Sequence, residues 1–346
     1  MNGFQKFVLG LGGCCLILAL VITPLYSQGE QKQPQAKTKA EYDSYMVLFS
    51  EQNQSKKVEL AGKFLQDYPE TEFKPYIYQI QVAGYAALGN AAKVVEVGEK
   101  FFTDIPQADN NTKKFILQRV MASYQQQNNF EKTVENGEKL LAIDPKDLPS
   151  LLTLSSILPE RLPQDEEKKN QQLAKAMEFS DKALTEVNAL QKPAQITDQQ
   201  WGEEKNKLLA TVHSSIGLVH LNKKQYDKAT EQYEKSTNLA RSNPIDFYRL
   251  GISYSFQARN VGKELGALVS ETNPDLAAKE QKEKLFTSLR DKAIDSLAKS
   301  VSLKGVTEQQ ARGELERLYK SKNSNSLDGL DALLARAADD LKKPAQ

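Results

Sequence analysis

Residues 216–254 read IGLVHLNKKQYDKATEQYEKSTNLARSNPIDFYRLGISY. An Ile-Gly pair ends at Gly217 and a Leu-Gly pair ends at Gly251, so the two glycines are 34 residues apart. Ala229 and Tyr233 follow the first pair at the spacing of one helix face. A glycine and an alanine let two helices cross closely, because a larger side chain at either position would push the helices apart. The segment therefore predicts a pair of packed helices that begins again after 34 residues.

Two earlier segments keep the same order of residue types in a more degenerate form. Each has a tyrosine, a turn residue, an apolar residue in the second helix and a closing proline. The first segment places these four at Tyr85, Gly89, Phe101 and Pro106. The second segment places them at Tyr124, Asn128, Leu140 and Pro145. Apolar residues recur at i, i+3, i+4 and i+7 from about Glu41 onward and strand signals are absent, which predicts an all-α chain.

A 34-residue period with Leu-Gly in the first helix, and alanine then an aromatic residue in the second, resembles the tetratricopeptide repeat (TPR). The resemblance implies an all-α fold, a right-handed α-solenoid of about six TPR-like helix pairs. We place the pairs at 41–70, 74–107, 112–146, 148–191, 198–243 and 244–304, so that the solenoid covers 41–304. Residues 305–346 are expected to form capping helices near 308–321 and 327–342, because the last repeat leaves an apolar face uncovered.

Two segments depart from a regular repeat. A proline-rich interruption, 158–163, divides the fourth pair. In the sixth pair an insertion near 259–290 separates the glycine from its matching alanine. We expect the first helix of that pair to end near Ala258. The insertion is then expected to form a short helix at 262–269 and to extend the second helix back to Pro274.

Helix starts are marked at four places. Thr197 and Thr307 each have a glutamine three residues later, which predicts capping boxes. Asparagine precedes proline at Pro244 and Pro274, which predicts an asparagine cap with proline at the first helical position.

The N-terminal segment, 1–27, differs from the rest. After Lys6 an apolar run extends over 7–26 without a charged residue, which is typical of a signal peptide. The run is also long enough to span a bilayer, so an N-terminal membrane anchor is the alternative, and lipidation at Cys14 is a third. The Gln-, Lys- and Pro-rich residues 28–40 predict a disordered linker. We expect an exported protein, periplasmic or anchored in the membrane and facing the periplasm.

Composition and motifs disfavour several classes of function. The chain has 46 Lys+Arg against 45 Asp+Glu, and nucleic-acid binding needs a basic face, so we expect no nucleic-acid partner. No phosphate-binding loop, nucleophile elbow or His-Glu-x-x-His motif occurs, so we predict no enzyme, no cofactor and no metal site. His213 and His220 could form a metal or acid–base pair, but the TPR resemblance puts them at packing positions. Trp201 is open to packing or to a partner contact.

The resemblance also implies a partner-binding groove, formed by the first helix of each pair. Carrying over the groove positions gives Tyr76, Gln79, Ala83, Phe115, Gln118, Ala122, Gln125, Gln126, Thr211, Ser214, Leu218, Asn222, Tyr248, Ile252, Ser255 and Phe256. These positions hold amides and aromatic residues and no cation. They therefore lack the Lys/Asn/Arg clamp with which some TPR proteins hold acidic C-termini. A partner peptide or helix bound through apolar anchors and amide hydrogen bonds fits better, while any one of these residues could instead pack against a neighbouring helix.

These features predict a non-catalytic scaffold for protein–protein interaction in the bacterial cell envelope. One alternative is a membrane-anchored assembly factor of an envelope complex, attached to the membrane through residues 7–26. A further alternative is an enzyme or small-molecule binder that uses the insertion near 259–290 as a lid.

Overall fold

The computed structural model describes residues 34–270 and 275–343, and within them it contains fourteen α-helices and no strand. The predicted all-α class is confirmed. The predicted export segment, 1–27, lies outside the described residues. None of the described helices combines the length and the apolar composition needed to cross a bilayer.

The described chain forms two compact units that divide within the seventh helix. The N-terminal unit, 34–154, contains α1 (Lys39–Ser50), α2 (Gln54–Asp67), α3 (Lys74–Ala87), α4 (Ala91–Asp104), α5 (Asn110–Gln126), α6 (Phe130–Ile143) and most of α7 (Leu148–Ile157). The C-terminal unit, 155–343, contains the end of α7 and a 3₁₀ turn (Leu158–Glu160), followed by α8 (Glu166–Ala189), α9 (Asp198–Asn222), α10 (Tyr226–Leu239), α11 (Pro244–Val269), α12 (Leu276–Leu303), α13 (Glu308–Lys322) and α14 (Leu330–Leu341).

The helices alternate as the predicted pairs require, with α1, α3, α5, α7, α9 and α11 as first helices and α2, α4, α6, α8, α10 and α12 as second helices. Successive helices pack against one another from α1 to α6 and from α8 to α13, and α3 also packs against α5. After the sixth pair, α13 and α14 both pack on α12. They bury Leu315 and Leu330 in one apolar cluster with Leu297 of α12.

The same turn joins the first helix to the second in three pairs. Gly89, Asn128 and Lys224 all adopt positive φ, at 67°, 57° and 57°. Each turn is closed by a backbone N–H from the following residue, at 2.9 Å from a carbonyl four residues before the positive-φ position. In two turns the following residue is an asparagine, Asn90 or Asn129, whose side chain caps the second helix. The repeat is therefore conserved within this chain at the level of backbone conformation.

The glycines of the 34-residue pattern lie where helices cross. A Cβ added to Gly217 would be 3.0 Å from the ring of Tyr233 on α10, and one added to Gly251 would be 2.6 Å from Leu297 on α12. Ala229 and Ala293, the matching alanines of the second helices, are fully buried. The close approach predicted from the sequence is confirmed in both pairs.

The insertion in the sixth pair takes a different form from the predicted one. The helix does not end near Ala258 and there is no separate helix at 262–269, because α11 continues without a break to Val269. Nothing in 259–269 interrupts a helix: two isolated glycines are tolerated at a modest cost, and Val261 packs on the core cluster together with Phe286 of α12. The insertion therefore lengthens both helices of the pair.

Helix starts agree with the sequence in part. The capping box at Thr197 and the side-chain cap from Asn243 are both present. Thr307 makes no side-chain cap, since its backbone is already in the helical region and its buried hydroxyl lies 3.4 Å from that of Ser300. The second helix of the sixth pair is capped by Asp275, and the predicted cap at Asn273 lies outside the described residues.

The predicted linker ends before residue 40. Helix α1 already begins at Lys39, because the Thr38 side chain caps it by accepting from the N–H of Glu41. Before the helix, the Lys37 ammonium donates to the carbonyl of Glu70, at 2.5 Å. The backbone N–H of Gln35 donates to Glu72, at 3.0 Å. Residues 34–38 are thus hydrogen-bonded to the loop that precedes α3.

Candidate partner-binding face

In the N-terminal unit the predicted groove positions lie on α3 and α5, which are neighbours. Tyr76 keeps 44% of its surface exposed, and Ala122 and Gln126 are also exposed. The others on these helices are half-buried, namely Gln79, Ala83, Phe115, Gln118 and Gln125. We refer to the surface formed by Tyr76, Ala83, Phe115, Ala122 and Gln126 as the α3–α5 face.

Two of the remaining amides, Gln79 and Gln118, connect successive first helices. Gln79 of α3 donates to the hydroxyl of Thr112 in the first turn of α5, at 3.1 Å. Gln118 of α5 donates to Asp147, which precedes α7, at 2.7 Å. Both amide groups are therefore engaged within the chain, and their main contribution is to fix the spacing between first helices.

The α3–α5 face also carries an arginine that the sequence-based set omits. The guanidinium carbon of Arg119 lies 3.4 Å from the ring centroid of Phe115, and one N–H donates to the Phe115 carbonyl at 3.0 Å. Arginine stacks well on aromatic rings because its planar cation is weakly hydrated. Partial burial lowers the pKa of Arg119 from its ordinary value, because burial disfavours the charged form.

In the C-terminal unit the corresponding positions on α9 are covered by the chain itself. The side-chain amide of Asn222 donates to the carbonyl of Pro159 at 2.8 Å. Leu158 and Pro159 are buried, and Gln172 of α8 donates to the carbonyls of Leu158 and Arg161, at 2.6 and 2.7 Å. The segment 158–161, part of the predicted interruption, is thus held by side-chain amides and buried apolar contacts.

An ion pair fixes the end of this segment. Glu160 accepts from the guanidinium of Arg249 on α11 at 2.6 Å, and only 11% of the Arg249 side chain is exposed. Burial opposes the charge on Arg249, but the nearby Glu160 carboxylate outweighs it and raises the pKa of Arg249. A buried arginine of this kind needs a carboxylate partner to remain charged without a large penalty.

A buried carboxylate lies on the same helix. Asp246 in the first turn of α11 accepts from the hydroxyl of Ser214 at 2.5 Å and from that of Ser236 at 2.6 Å. Burial raises the pKa of Asp246 above its ordinary value in spite of these hydrogen bonds. Ser214 therefore connects α9 to α11 in the way that Gln79 connects α3 to α5.

The predicted groove positions on α11 face other parts of the C-terminal unit. Ser255 is buried and donates to Glu314 of α13 at 2.7 Å. Phe256 stacks on Tyr226 of α10, with ring centroids 4.8 Å apart. Tyr248 packs at the edge of the apolar cluster, and Ile252 is half-buried.

The structure therefore corrects part of the predicted site. Leu218 and Ser255 are 7% and 6% exposed, so neither can form a partner surface. Asn222 and Ser214 are already hydrogen-bonded to the chain, as described above. Thr211 is exposed, and its hydroxyl donates to the Lys207 carbonyl of its own helix, at 3.0 Å.

The two histidines are half-buried, and each donates a ring N–H to the side-chain oxygen of a glutamine. His213 lies 2.8 Å from the Gln232 side-chain oxygen, and His220 lies 2.7 Å from that of Gln225. In the described part of the chain no group of three or more His, Cys, Asp or Glu residues is arranged to hold a metal ion. Trp201 is half-buried near the start of α9.

The described residues form six consecutive helix pairs, three with the same positive-φ turn and two with glycines set 34 residues apart at helix crossings. The fold of the described chain is TPR-like. No protein-family model matches the sequence, and no curated protein sequence matches it either.

Solved structures of TPR proteins are similar to this TPR-like chain at low sequence identity. A thermophilic TPR protein of Thermus thermophilus is 17% identical with a TM-score of 0.39, over 71% of this chain and 98% of that one. A TPR protein of Parabacteroides merdae is 13% identical with a TM-score of 0.43, over 80% and 96%. The C-terminal part of a TPR protein of Cytophaga hutchinsonii is 11% identical with a TM-score of 0.44, over 87% and 95%. These values are too low for any inference about partners.

Proposed function

We propose that this protein is a non-catalytic scaffold that binds a segment of another protein on the α3–α5 face. The partner segment lies across Tyr76 and Phe115 as an extended peptide or as one face of a helix. No cofactor takes part in this function. We do not propose that the two lengthened helices, α11 and α12, act as a lid.

The observation that supports the proposal is a contrast between equivalent first helices. On α9 and α11 several of the repeat positions that would meet a partner contact the chain itself: Asn222 contacts the segment 158–161, Ser255 contacts α13 and Phe256 contacts α10. On α3 and α5 the equivalent positions keep Tyr76, Ala122 and Gln126 exposed. An exposed aromatic residue among small and amide side chains is a surface that favours a partner, because aromatic residues contribute strongly to binding when they become desolvated.

Photo-crosslinking tests this surface directly. A photoreactive p-benzoylphenylalanine would replace Tyr76 in one variant and Ala122 in another. In a control variant it would replace Lys63, an exposed residue of α2 in the same unit. We expect the first two variants to crosslink to the same protein in cells of the native host, and the control variant not to do so.

Binding of the crosslinked protein is then measured with purified components. Tyr76→Ala is expected to weaken that binding on the order of tenfold or more, as for an aromatic anchor. Equal crosslinking from all three positions, or no crosslinking from any, would show that the α3–α5 face is not the binding surface.

Export and location form a second part of the proposal. The apolar run 7–26 supports delivery to the cell envelope, either as a periplasmic protein or as an assembly factor that remains anchored in the membrane. Mass spectrometry of the native N-terminus separates these forms. An intact Met1 supports the anchor, a start near Gln28 supports the periplasmic form, and a fraction confined to the cytoplasm contradicts both.

A further inference from the structure

Arg119 and Arg249 occupy the same position of the repeat. Arg119 lies five residues before Tyr124, and Arg249 lies five residues before Tyr254. Both tyrosines donate to a glutamate of the preceding second helix, Tyr124 to Glu99 and Tyr254 to Glu234. The two glutamates also have the same place in their helices. Glu99 lies nine residues after Asn90, where the turn before α4 ends, and Glu234 lies nine residues after Gln225, where the turn before α10 ends. The equivalence therefore rests on matching contacts as well as on spacing.

Arg249 shows how this position holds a peptide. Its partner, Glu160, belongs to a segment that follows α7 and lies against α9, the first helix that precedes α11. The two residues before Glu160 are Leu158 and Pro159, and both are buried. The C-terminal unit thus contains a carboxylate, preceded by an apolar dipeptide, bound at the repeat arginine.

Arg119 has the same place in the N-terminal unit but no such partner. One N–H group is used by the Phe115 carbonyl, whereas a guanidinium has five to donate. Among the residues that the structure describes, no carboxylate forms an ion pair with Arg119. The neighbouring cation Lys114, by contrast, is paired with Asp144 and Asp147. The guanidinium is half-buried against the Phe115 ring, so an added carboxylate there would form a directional, charge-assisted pair.

We propose that Arg119 binds a carboxylate of the partner segment, so that the α3–α5 face recognises a glutamate or aspartate beside apolar residues. This inference rests on the proposed function and specifies the chemistry of its partner. This kind of recognition differs from a clamp that binds a chain terminus. The carboxylate that Arg249 binds, that of Glu160, is a side-chain carboxylate within a chain.

We expect the residues around Arg119 to make the apolar contacts with the partner segment. The Phe115 ring lies beneath Arg119, and Tyr76 is exposed on α3, which packs against α5. We expect these two rings to contact the apolar residues of the partner segment. The amide contact of the C-terminal unit is not repeated there, because the position on α3 that is equivalent to Asn222 is Ala87. The expected preference is therefore for an acidic residue with apolar neighbours, without a requirement for proline.

Selection from a random peptide library displayed on phage tests this inference with the full chain. The wild-type protein is expected to enrich peptides in which Glu or Asp adjoins an apolar residue. Arg119→Gln is expected to lose the acidic enrichment, and the selected acidic peptides should bind it on the order of tenfold more weakly. Arg119→Lys keeps the charge without the planar fork and should show an intermediate loss. Lys63→Gln, which removes an exposed charge from the same unit, should select the same peptides as the wild type.

The outcomes separate this inference from the proposed function. If the wild type enriches peptides that lack acidic residues, and Arg119→Gln enriches the same ones, the face binds peptides but the role of Arg119 is wrong. If no peptide is enriched, both proposals fall. Circular dichroism of each variant checks that it is folded. Should Arg119→Gln unfold, the Arg119→Lys protein and a Glu→Gln change in the selected peptide still test the pair from both sides.

Discussion

Gly98 of α4 lies so close to Val120 of α5 that an added Cβ would be 2.3 Å from the Val120 Cγ2 atom. Val120 is itself 2% exposed and has a short, branched side chain, so it has little room to move. We expect Gly98→Ala to lower the free energy of unfolding by about 1–2 kcal/mol, since overpacking outweighs the better helix propensity of alanine. Urea denaturation followed by circular dichroism measures the change.

Gly266 of α11 provides the matched control for this substitution. It is also a helical glycine, but an added Cβ there would meet nothing within 4 Å. Gly266→Ala should therefore raise the free energy of unfolding by up to about 1 kcal/mol. If both substitutions shift the urea midpoint in the same direction, the contact with Val120 does not limit the size of residue 98.

Lys224 adopts a backbone conformation that glycine adopts in the equivalent turn. Its φ is 57°, close to the 67° of Gly89. A side chain with a Cβ is strained there, so Lys224→Gly should raise the free energy of unfolding by about 0.5–1 kcal/mol. The preceding residue, Lys223, has a φ of −81°. At Lys223 a glycine relieves no strain and only raises the conformational entropy of the unfolded chain. Lys223→Gly should therefore lower the free energy of unfolding. Thermal melts of the two variants should move in opposite directions.

Repeat spacing predicts which residues share a helix face, and the close helix crossings at Gly217 and Gly251 agree with that prediction. The turn at Gly89 and its counterpart at Asn128 follow from residue type, because glycine and asparagine tolerate positive φ. The third turn is not evident from residue type, since lysine at Lys224 has no such preference. Here the hydrogen bonds that end one helix and start the next impose the conformation on an unfavourable residue.

Repeat spacing does not show which residues contact a given helix face. Gln118 and Ser214 are predicted groove positions, yet the Gln118 side chain bonds to Asp147 just before α7, and the Ser214 side chain bonds to Asp246 of α11. In the sequence, the segment 158–163 is recognisable only as an interruption of the repeat. Its role depends on the pair between Glu160 and Arg249, which are 89 residues apart and could not be matched from spacing alone.

Removing the Glu160 carboxylate should destabilise the C-terminal unit through the charge that it leaves behind. Glu160→Ala leaves the buried Arg249 without a partner, which we expect to cost about 3 kcal/mol. Glu96, whose carboxylate pairs with Lys93 at 2.8 Å, is 63% exposed and serves as control. Glu96→Ala should change the free energy of unfolding by less than about 0.5 kcal/mol, because water screens that pair. Urea titrations at neutral pH compare the two, and equal small effects would mean that Arg249 does not depend on Glu160.

The pH dependence of stability should distinguish two aspartates with opposite pKa shifts. Burial raises the pKa of Asp246 in the folded state above its ordinary 3.8. The folded chain then binds this proton more tightly than the unfolded chain, so the contribution of Asp246 to stability falls as pH rises above about 4. Asp246→Asn does not titrate and should gain stability relative to the wild type between about pH 4 and pH 7.

Asp144 provides the opposite case. Its hydrogen bond from Lys114 lowers the pKa of its carboxyl in the folded state. The stability that it contributes is present above its ordinary value of 3.8 and is lost as pH falls through the lowered folded value. Asp144→Asn should therefore be most destabilising near neutral pH and should approach the wild type in acid. Unfolding free energies of both variants and the wild type, measured across this pH range, test the signs. Parallel curves for the two variants would show that burial does not control the protonation of Asp246.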